Sequence, residues 1–253
     1  MPIMLTGGVA DPIGAGDRGR FAARWCAFIV LLGFAICLDC RASANEGGDI
    51  ARYAVEIVNQ PGATWRGNGI YLGQGLVLTA AHVVPGRREP ETTVLVAGRQ
   101  LPGITIKYGD FESVDLAIVK IDETLLPYNI RHLPFLAVCA RDSQPGQPVV
   151  VVAPHNIAPS RIISAERFSP KIVSRFTTLI ADVDTTGNSG SGVFDAASGC
   201  LLGIMSRKIE EFVYFQENGA QMRRPRLRAK YFITASLIRE FAAPWIGTRY
   251  LRR

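Results

Sequence analysis

A chain of 253 residues, 48% of them apolar, with 28 Lys and Arg against 22 Asp and Glu, holds enough material for one sizeable core and little more. Its formal charge of +6 is modest for the length and spread along the chain, no nucleic-acid-binding motif accompanies it, and no internal repeat or second composition regime interrupts the sequence. A nucleic-acid partner, a repeat array and an appended second domain are therefore not expected.

Residues 1–44 read as a leader. Arg18, Arg20 and Arg24 precede an apolar run over residues 26–38, which is shorter than the roughly 18–20 residues needed to span a bilayer. Ala42-Ser43-Ala44 follows as a small-x-small cleavage site, so a secretory signal peptide cut after Ala44 is expected. The segment before Arg18 is long for such a leader, which leaves a later start or an uncleaved anchor open. A lipoprotein signal ending at Cys40 is disfavoured by its lead-in, Leu38-Asp39. Residues 45–253 are then one domain, secreted or periplasmic, with no stable membrane association after cleavage. Cys26, Cys37 and Cys40 fall in the leader; Cys139 and Cys200 remain, and in an exported protein they suggest one disulfide.

Strand-like segments separated by Gly- and Pro-rich turns dominate the remainder, the pattern of an all-β antiparallel barrel protein. Strands are predicted at 52–58, 67–71 and 75–79, then a helical turn at 80–84, then strands at 92–96, 101–108 and 116–121. A loop-rich crossover at 122–134 leads to strands at 148–153, 161–164, 172–174, 177–182, 192–194, 201–206, 212–215 and 228–233. Thr234 or Ser236 caps a terminal helix running to about Phe241, which Pro244 limits. His132 and His155 fall in loops. The basic cluster Arg223, Arg224, Arg226, Arg228 and Lys230 reads as a solvated loop, or as a site for anionic surfaces or acidic substrate side chains.

Three short motifs carry chemistry. His82 ends Thr79-Ala80-Ala81-His82 at a strand-to-turn boundary. Asp115 opens the apolar strand Leu116-Ala117-Ile118-Val119. Ser189 lies in Gly187-Asn188-Ser189-Gly190-Ser191-Gly192. Taken singly, each has an ordinary reading: a cap, a loop, a structural histidine. Together they are the parts that make an alcohol nucleophilic at neutral pH: a hydroxyl, a base of suitable pKa, and a carboxylate that orients the base.

In this chain order the motifs resemble those of the chymotrypsin-like (trypsin-like) serine peptidases, nearest to the bacterial V8-like glutamyl endopeptidases and the HtrA-type protease domain. The resemblance implies two six-stranded antiparallel β-barrels with a short C-terminal helix, and a cleft between the barrels. It implies His82 as base then acid, Asp115 as its orienter, Ser189 as nucleophile, and the N–H groups of Gly187 and Ser189 as an oxyanion hole. It calls for a protein or peptide substrate and for no metal or organic cofactor. The nucleophile follows Asp or Asn in the family, which selects Ser189 over Ser191; Gly192 replaces the usual proline. Gly-x-Ser-x-Gly fits neither serine, which disfavours an α/β-hydrolase. The chain shows no spare C-terminal segment of the kind that carries a PDZ domain.

Substrate contacts implied by the resemblance are Val183, Ser206, Arg207, Lys208 and Arg228. Val183 stands where an aspartate would select basic side chains, although Asp182 and Asp184 adjoin it. Arg207, Lys208 and Arg228 would instead favour an acidic residue before the scissile bond. Asn188 carries no charge to pair with a freed N-terminal amine, so activation through that ion pair is not expected. Two alternatives stay open: a peptidase-fold protein that binds or regulates with little turnover, and an esterase.

Overall fold

The computed structural model describes residues 49–58, 66–86, 91–181, 189–246 and 251–252. The expected leader lies outside them, as do Val183, Gly187 and Asn188. Among the described residues no helix is long and apolar enough to cross a membrane.

The first barrel is built from β1 (Ala54–Val58), β2 (Arg66–Gly73), β3 (Leu76–Thr79), β4 (Glu91–Val96), β5 (Arg99–Tyr108) and β6 (Ala117–Ile121). It closes in the order β1-β2-β3-β6-β5-β4. The strands are rich in β-branched side chains that suit a pleated, half-buried surface. In β4, Thr92, Val94 and Val96 are buried while Glu91 faces water, the period-2 alternation of a one-sided strand. The β1–β4 ladder, with Ile57 opposite Val94, removes the open edges.

The second barrel comprises β8 (Pro148–Ala153), β9 (Asn156–Ile163), β10 (Leu179–Ala181), β11 (Gly192–Asp195), β12 (Leu201–Glu217) and β13 (Ala220–Thr234). It runs β11-β8-β9-β10-β13-β12 and closes where β11 pairs with β12; the two-residue strands β7 (Val138–Cys139) and β14 (Leu251–Arg252) lie beyond β12. The fold is thus two closed six-stranded antiparallel barrels with a C-terminal helix, as the sequence motifs imply. A disulfide joins Cys139 of β7 to Cys200, just before β12, with Cα atoms 5.1 Å apart.

Several elements differ from the sequence expectation, β9 among them, which begins at Asn156. Residues 172–174 are not a strand: Pro170–Val173 is a helical turn, because Pro170 sits in its first turn, where a missing N–H costs nothing. The 212–215 segment is not separate; β12 continues through it to Glu217. Asn218 and Gly219, at φ 51° and 77°, make the two-residue turn whose twist matches paired strands, and β13 returns at once. The terminal helix extends over Ala235–Ile246 with Pro244 inside. That proline lies in the last turn, so it removes one hydrogen bond rather than ending the helix early. Thr234 caps it, its hydroxyl accepting from the Leu237 N–H at 3.4 Å. Asp142 reinforces the start by accepting from the Ser236 N–H at 2.8 Å. The crossover contains a 3-10 turn, Glu123–Leu125, and a helical turn, Tyr128–Arg131. His132 stacks on Tyr128 there, and His155 occupies the β8–β9 turn.

Candidate active site

The β3–β6 ladder pairs Thr79 with Ala117. His82, on the 3-10 turn Ala81–Val83 after β3, and Asp115, just before β6, therefore emerge at the same barrel end. His82 Nδ1 and Asp115 Oδ2 are 2.8 Å apart, and the His82 backbone N–H donates to Asp115 Oδ1 at 3.1 Å. With Nδ1 facing a carboxylate, the proton belongs on Nδ1 and Nε2 is left as the acceptor. The imidazole side chain is 26% exposed and the carboxylate 1%, so the ring can be reached from outside while the carboxylate is sealed from water.

Burial alone would push the Asp115 carboxyl up. The hydrogen bonds from His82 and Ser206, with the attraction of the imidazole, outweigh it and hold the group below its ordinary value. Asp115 is thus a buried carboxylate that remains ionised.

Ser206 supplies the third of these bonds. The β12–β13 register steps from Met205 opposite Phe232 to Arg207 opposite Tyr231, so Ser206 is the extra residue of a bulge. Released from the ladder, it donates its hydroxyl to Asp115 Oδ2 at 2.6 Å. Its carbonyl accepts the Ser189 hydroxyl at 2.9 Å. A serine hydroxyl has one proton to donate, so donation to any other acceptor first requires the Ser189 hydroxyl to reorient.

The two serines of the Gly/Ser run have different surroundings. Ser191 is fully buried, and its hydroxyl accepts from Asn68 Nδ2 at 2.8 Å. Ser189 lies at the edge of the site, held by its backbone: the Asn68 N–H donates to the Ser189 carbonyl at 2.9 Å. Between them Gly190 adopts φ +89°, and a Cβ there would stand 1.7 Å from the Asn68 carbonyl oxygen. Only glycine permits that approach.

Of the expected substrate contacts, Ser206 borders Ser189 and Asp115. The Arg207 guanidinium stacks 3.8 Å from the Phe111 ring centroid and donates to the Phe111 carbonyl. Phe111 in turn presents a T-shaped contact to the His82 ring at 5.2 Å. Lys208 and Arg228 meet the same Glu210 carboxylate at 3.3 and 3.2 Å. An acidic substrate side chain reaching those cations would share them with Glu210.

Asn68, Phe111 and Tyr231 carry the site without having been legible as site residues. Burial pushes the Tyr231 phenol up, against the opposing charge of Arg207, its cross-strand partner. Asn68 does leave a trace in sequence: an asparagine between two glycines is a poor fit to a strand interior.

Two antiparallel barrels, with His82 and Asp115 on the first and Ser189 beside β11 of the second, define the trypsin-like architecture. Residues 67–204 match the trypsin-like peptidase domain family, and the chain belongs to that family. Solved structures agree in fold. The active form of the Mycobacterium tuberculosis protease Rv3671c is 21% identical, with a TM-score of 0.53 over 81% of this chain and 85% of that one. A Yersinia pestis serine endoprotease is 19% identical, with a TM-score of 0.51 over 79% of this chain and 65% of that one. The HtrA-type protease AlgW with a tripeptide is 21% identical, with a TM-score of 0.53 over 81% of this chain and 63% of that one. No curated protein sequence matches the chain.

Proposed function

We propose that the protein is an exported serine endopeptidase. The observation that carries this reading is the buried Asp115 carboxylate, which holds the partly exposed His82 imidazole at 2.8 Å and takes the Ser206 hydroxyl at 2.6 Å. Ser189 Oγ bonds to the scissile carbonyl carbon as its proton passes to His82 Nε2 and the carbonyl electron pair moves onto oxygen. The N–H groups of Ser189 and Gly187 stabilise that oxyanion, each donor contributing about 2.7–4 kcal/mol. His82 then protonates the leaving nitrogen and the C–N bond breaks. A water attacks the acyl carbon, giving one proton to His82, which returns it to Ser189 Oγ as the acid departs. Asp115 holds the imidazole in the productive tautomer and offsets its positive charge in each half.

Substrates are proteins or peptides. Ser206, Arg207, Lys208 and Arg228 face the residue before the scissile bond, with Val183 assigned to it from its sequence position alone, and the basic side chains favour an acidic residue there. Equal cleavage after Glu, Leu and Ala would remove that preference. Export as a secreted or periplasmic enzyme draws support from the Cys139–Cys200 bridge, which persists in oxidising compartments. The mature protein then begins at Asn45.

A fluorophosphonate probe tests the nucleophile. Labelling is expected in the wild type and in Ser191→Ala, and lost in Ser189→Ala. The bond from Ser189 to the Ser206 carbonyl is the feature that favours a binding protein with little turnover. An unlabelled wild type would decide for that second reading.

A further inference from the structure

The β12–β13 hairpin outgrows its barrel. Among the described residues, β11 pairs with β12 only as far as Ile204, and β10 pairs with β13 only over Ala229–Tyr231. The strands nevertheless continue together to Glu217 and Ala220. Residues 212–225 are therefore a two-stranded ribbon with both faces open, a form that is marginal in water without a further strand or a packing partner. Its root is anchored. Ile209 and Ala229 pack with Phe168 and Leu179, and Glu211 accepts from the Ser169 N–H at 3.1 Å.

The ribbon's side chains do not fit a solvated arm. Val213, Tyr214, Phe215 and Met222 are exposed by 39%, 60%, 38% and 46%. Arg223 and Arg224 reach from β13 across to β12, with guanidiniums 4.7 Å from the Phe212 centroid and 5.7 Å from that of Phe215. From Phe212 to Arg226 the only acidic side chain is Glu217, against three arginines. A ribbon that is apolar and cationic on both faces fits an extended chain bearing apolar and acidic side chains.

Position selects the occupant. The β12 edge facing away from β13 starts at Ser206, whose carbonyl already takes the Ser189 hydroxyl. It runs on to Glu217, about 35 Å at roughly 3.3 Å per residue. We propose that the part of this edge beyond Ile209, outside the barrel, receives the more N-terminal part of a polypeptide substrate as an added strand, and that the ribbon there selects acidic, apolar segments remote from the scissile bond. Resting on the peptidase reading, the proposal names what that peptidase recognises. Main-chain pairing supplies affinity, and side chains at alternate positions supply choice. Antiparallel pairing places the recognised segment N-terminal to the cleaved bond, because β12 runs away from Ser189.

The test uses the full mature chain and a variant with Val213–Arg224 replaced by Asn-Gly, which keeps a two-residue turn. A cleavable hexapeptide core, found from a peptide library, is compared with the same core extended N-terminally by eight residues of alternating Glu and Phe, and by eight of alternating Lys and Ser. The wild type is expected to cleave the acidic extension with kcat/KM about tenfold or more above the core. The shortened variant should cleave all three alike, at the wild-type rate for the core. Arg223→Glu/Arg224→Glu, which keeps the hairpin, should lose the advantage of the acidic extension only. Equal wild-type rates on core and acidic extension, or an advantage that survives shortening, would overturn the proposal. So would binding of the Ser189→Ala chain to phosphatidylglycerol vesicles that shortening abolishes, without any substrate effect; the hairpin would then serve a lipid surface. A wild type that cleaves no peptide would defeat the peptidase reading itself, and this proposal with it.

Discussion

Asn68 and Ser191 lie 123 positions apart in sequence, and the Asn68 amide donates to the Ser191 hydroxyl at 2.8 Å in the buried interior. Asn68 belongs to the first barrel and Ser191 adjoins a strand of the second, so the contact stitches the barrels together beside the site. It also gives the two serines different surroundings: the Ser191 hydroxyl is bound in the buried interior, while the Ser189 hydroxyl donates to the Ser206 carbonyl. Asn68→Ala should lower stability by about 1–3 kcal/mol, the usual cost of a buried polar partner removed. In urea unfolding, Asn68→Ala/Ser191→Ala should cost less than the two single variants combined. Full additivity would show that the contact carries no coupling.

Gly190→Ala tests the close approach to the Asn68 carbonyl. A Cβ at 1.7 Å cannot be accommodated without moving backbone, and φ +89° is strained for alanine. A loss of at least about 2–4 kcal/mol is expected, together with fluorophosphonate labelling. A variant that folds and labels normally would mean the two barrels approach less closely here.

Asp115→Asn removes the charge that orients His82. A drop in kcat of about 10⁴ is expected, because the amide favours the wrong tautomer. Stability should follow a definite pH pattern. The folded-state carboxyl lies below its ordinary value of 3.8, so ionisation of Asp115 stabilises the fold above that pH. That contribution is lost as pH falls below 3.8 through the depressed folded value. The stability gap between wild type and Asp115→Asn, followed by thermal melts, should be widest near neutrality and close in strong acid. A gap that widens on acidification would contradict the assignment.

Arg207→Ala frees the Phe111 ring that abuts His82. A cation–π contact of this kind contributes about 0.5–2 kcal/mol, so kcat should fall by about two- to thirtyfold. Arg207→Lys should restore little, since lysine lacks the planar face that stacks. Complete rescue by lysine would place the effect in charge alone.

The Cys139–Cys200 bridge closes a loop of sequence separation 61. The chain-entropy relation gives about 4 kcal/mol for a loop of that size. Cys139→Ala/Cys200→Ala should therefore melt several degrees lower under oxidising conditions. An unchanged melting temperature in reductant would show that the β7–β12 packing needs no crosslink.

The limits of sequence reading show at particular residues. Period-2 alternation made most strands visible, because one side of each had to face a core whatever its neighbours were. Ile172 and Val173 misled, since β-branched side chains promise a strand while Pro170 quietly starts a helical turn. The hairpin is hidden by its composition: beyond Glu211, β12 pairs only with β13 among the described residues, so exposed aromatics and arginines replace alternation. Its turn residues, Asn218-Gly219, were nonetheless in plain view.

Sequence alone determined the class of this protein, because His82, Asp115 and Ser189 each sit in a short local context whose chemistry does not depend on distant residues. It also picked Ser189 over Ser191 by motif. Tertiary structure decided the different surroundings of the two serines. The buried amide of Asn68, the bulge that turns Ser206 toward both Asp115 and Ser189, and the Phe111 ring against His82 join segments far apart in the chain. Such contacts arise from barrel closure and strand register, which pair residues by geometry in space and leave no periodic mark on the sequence.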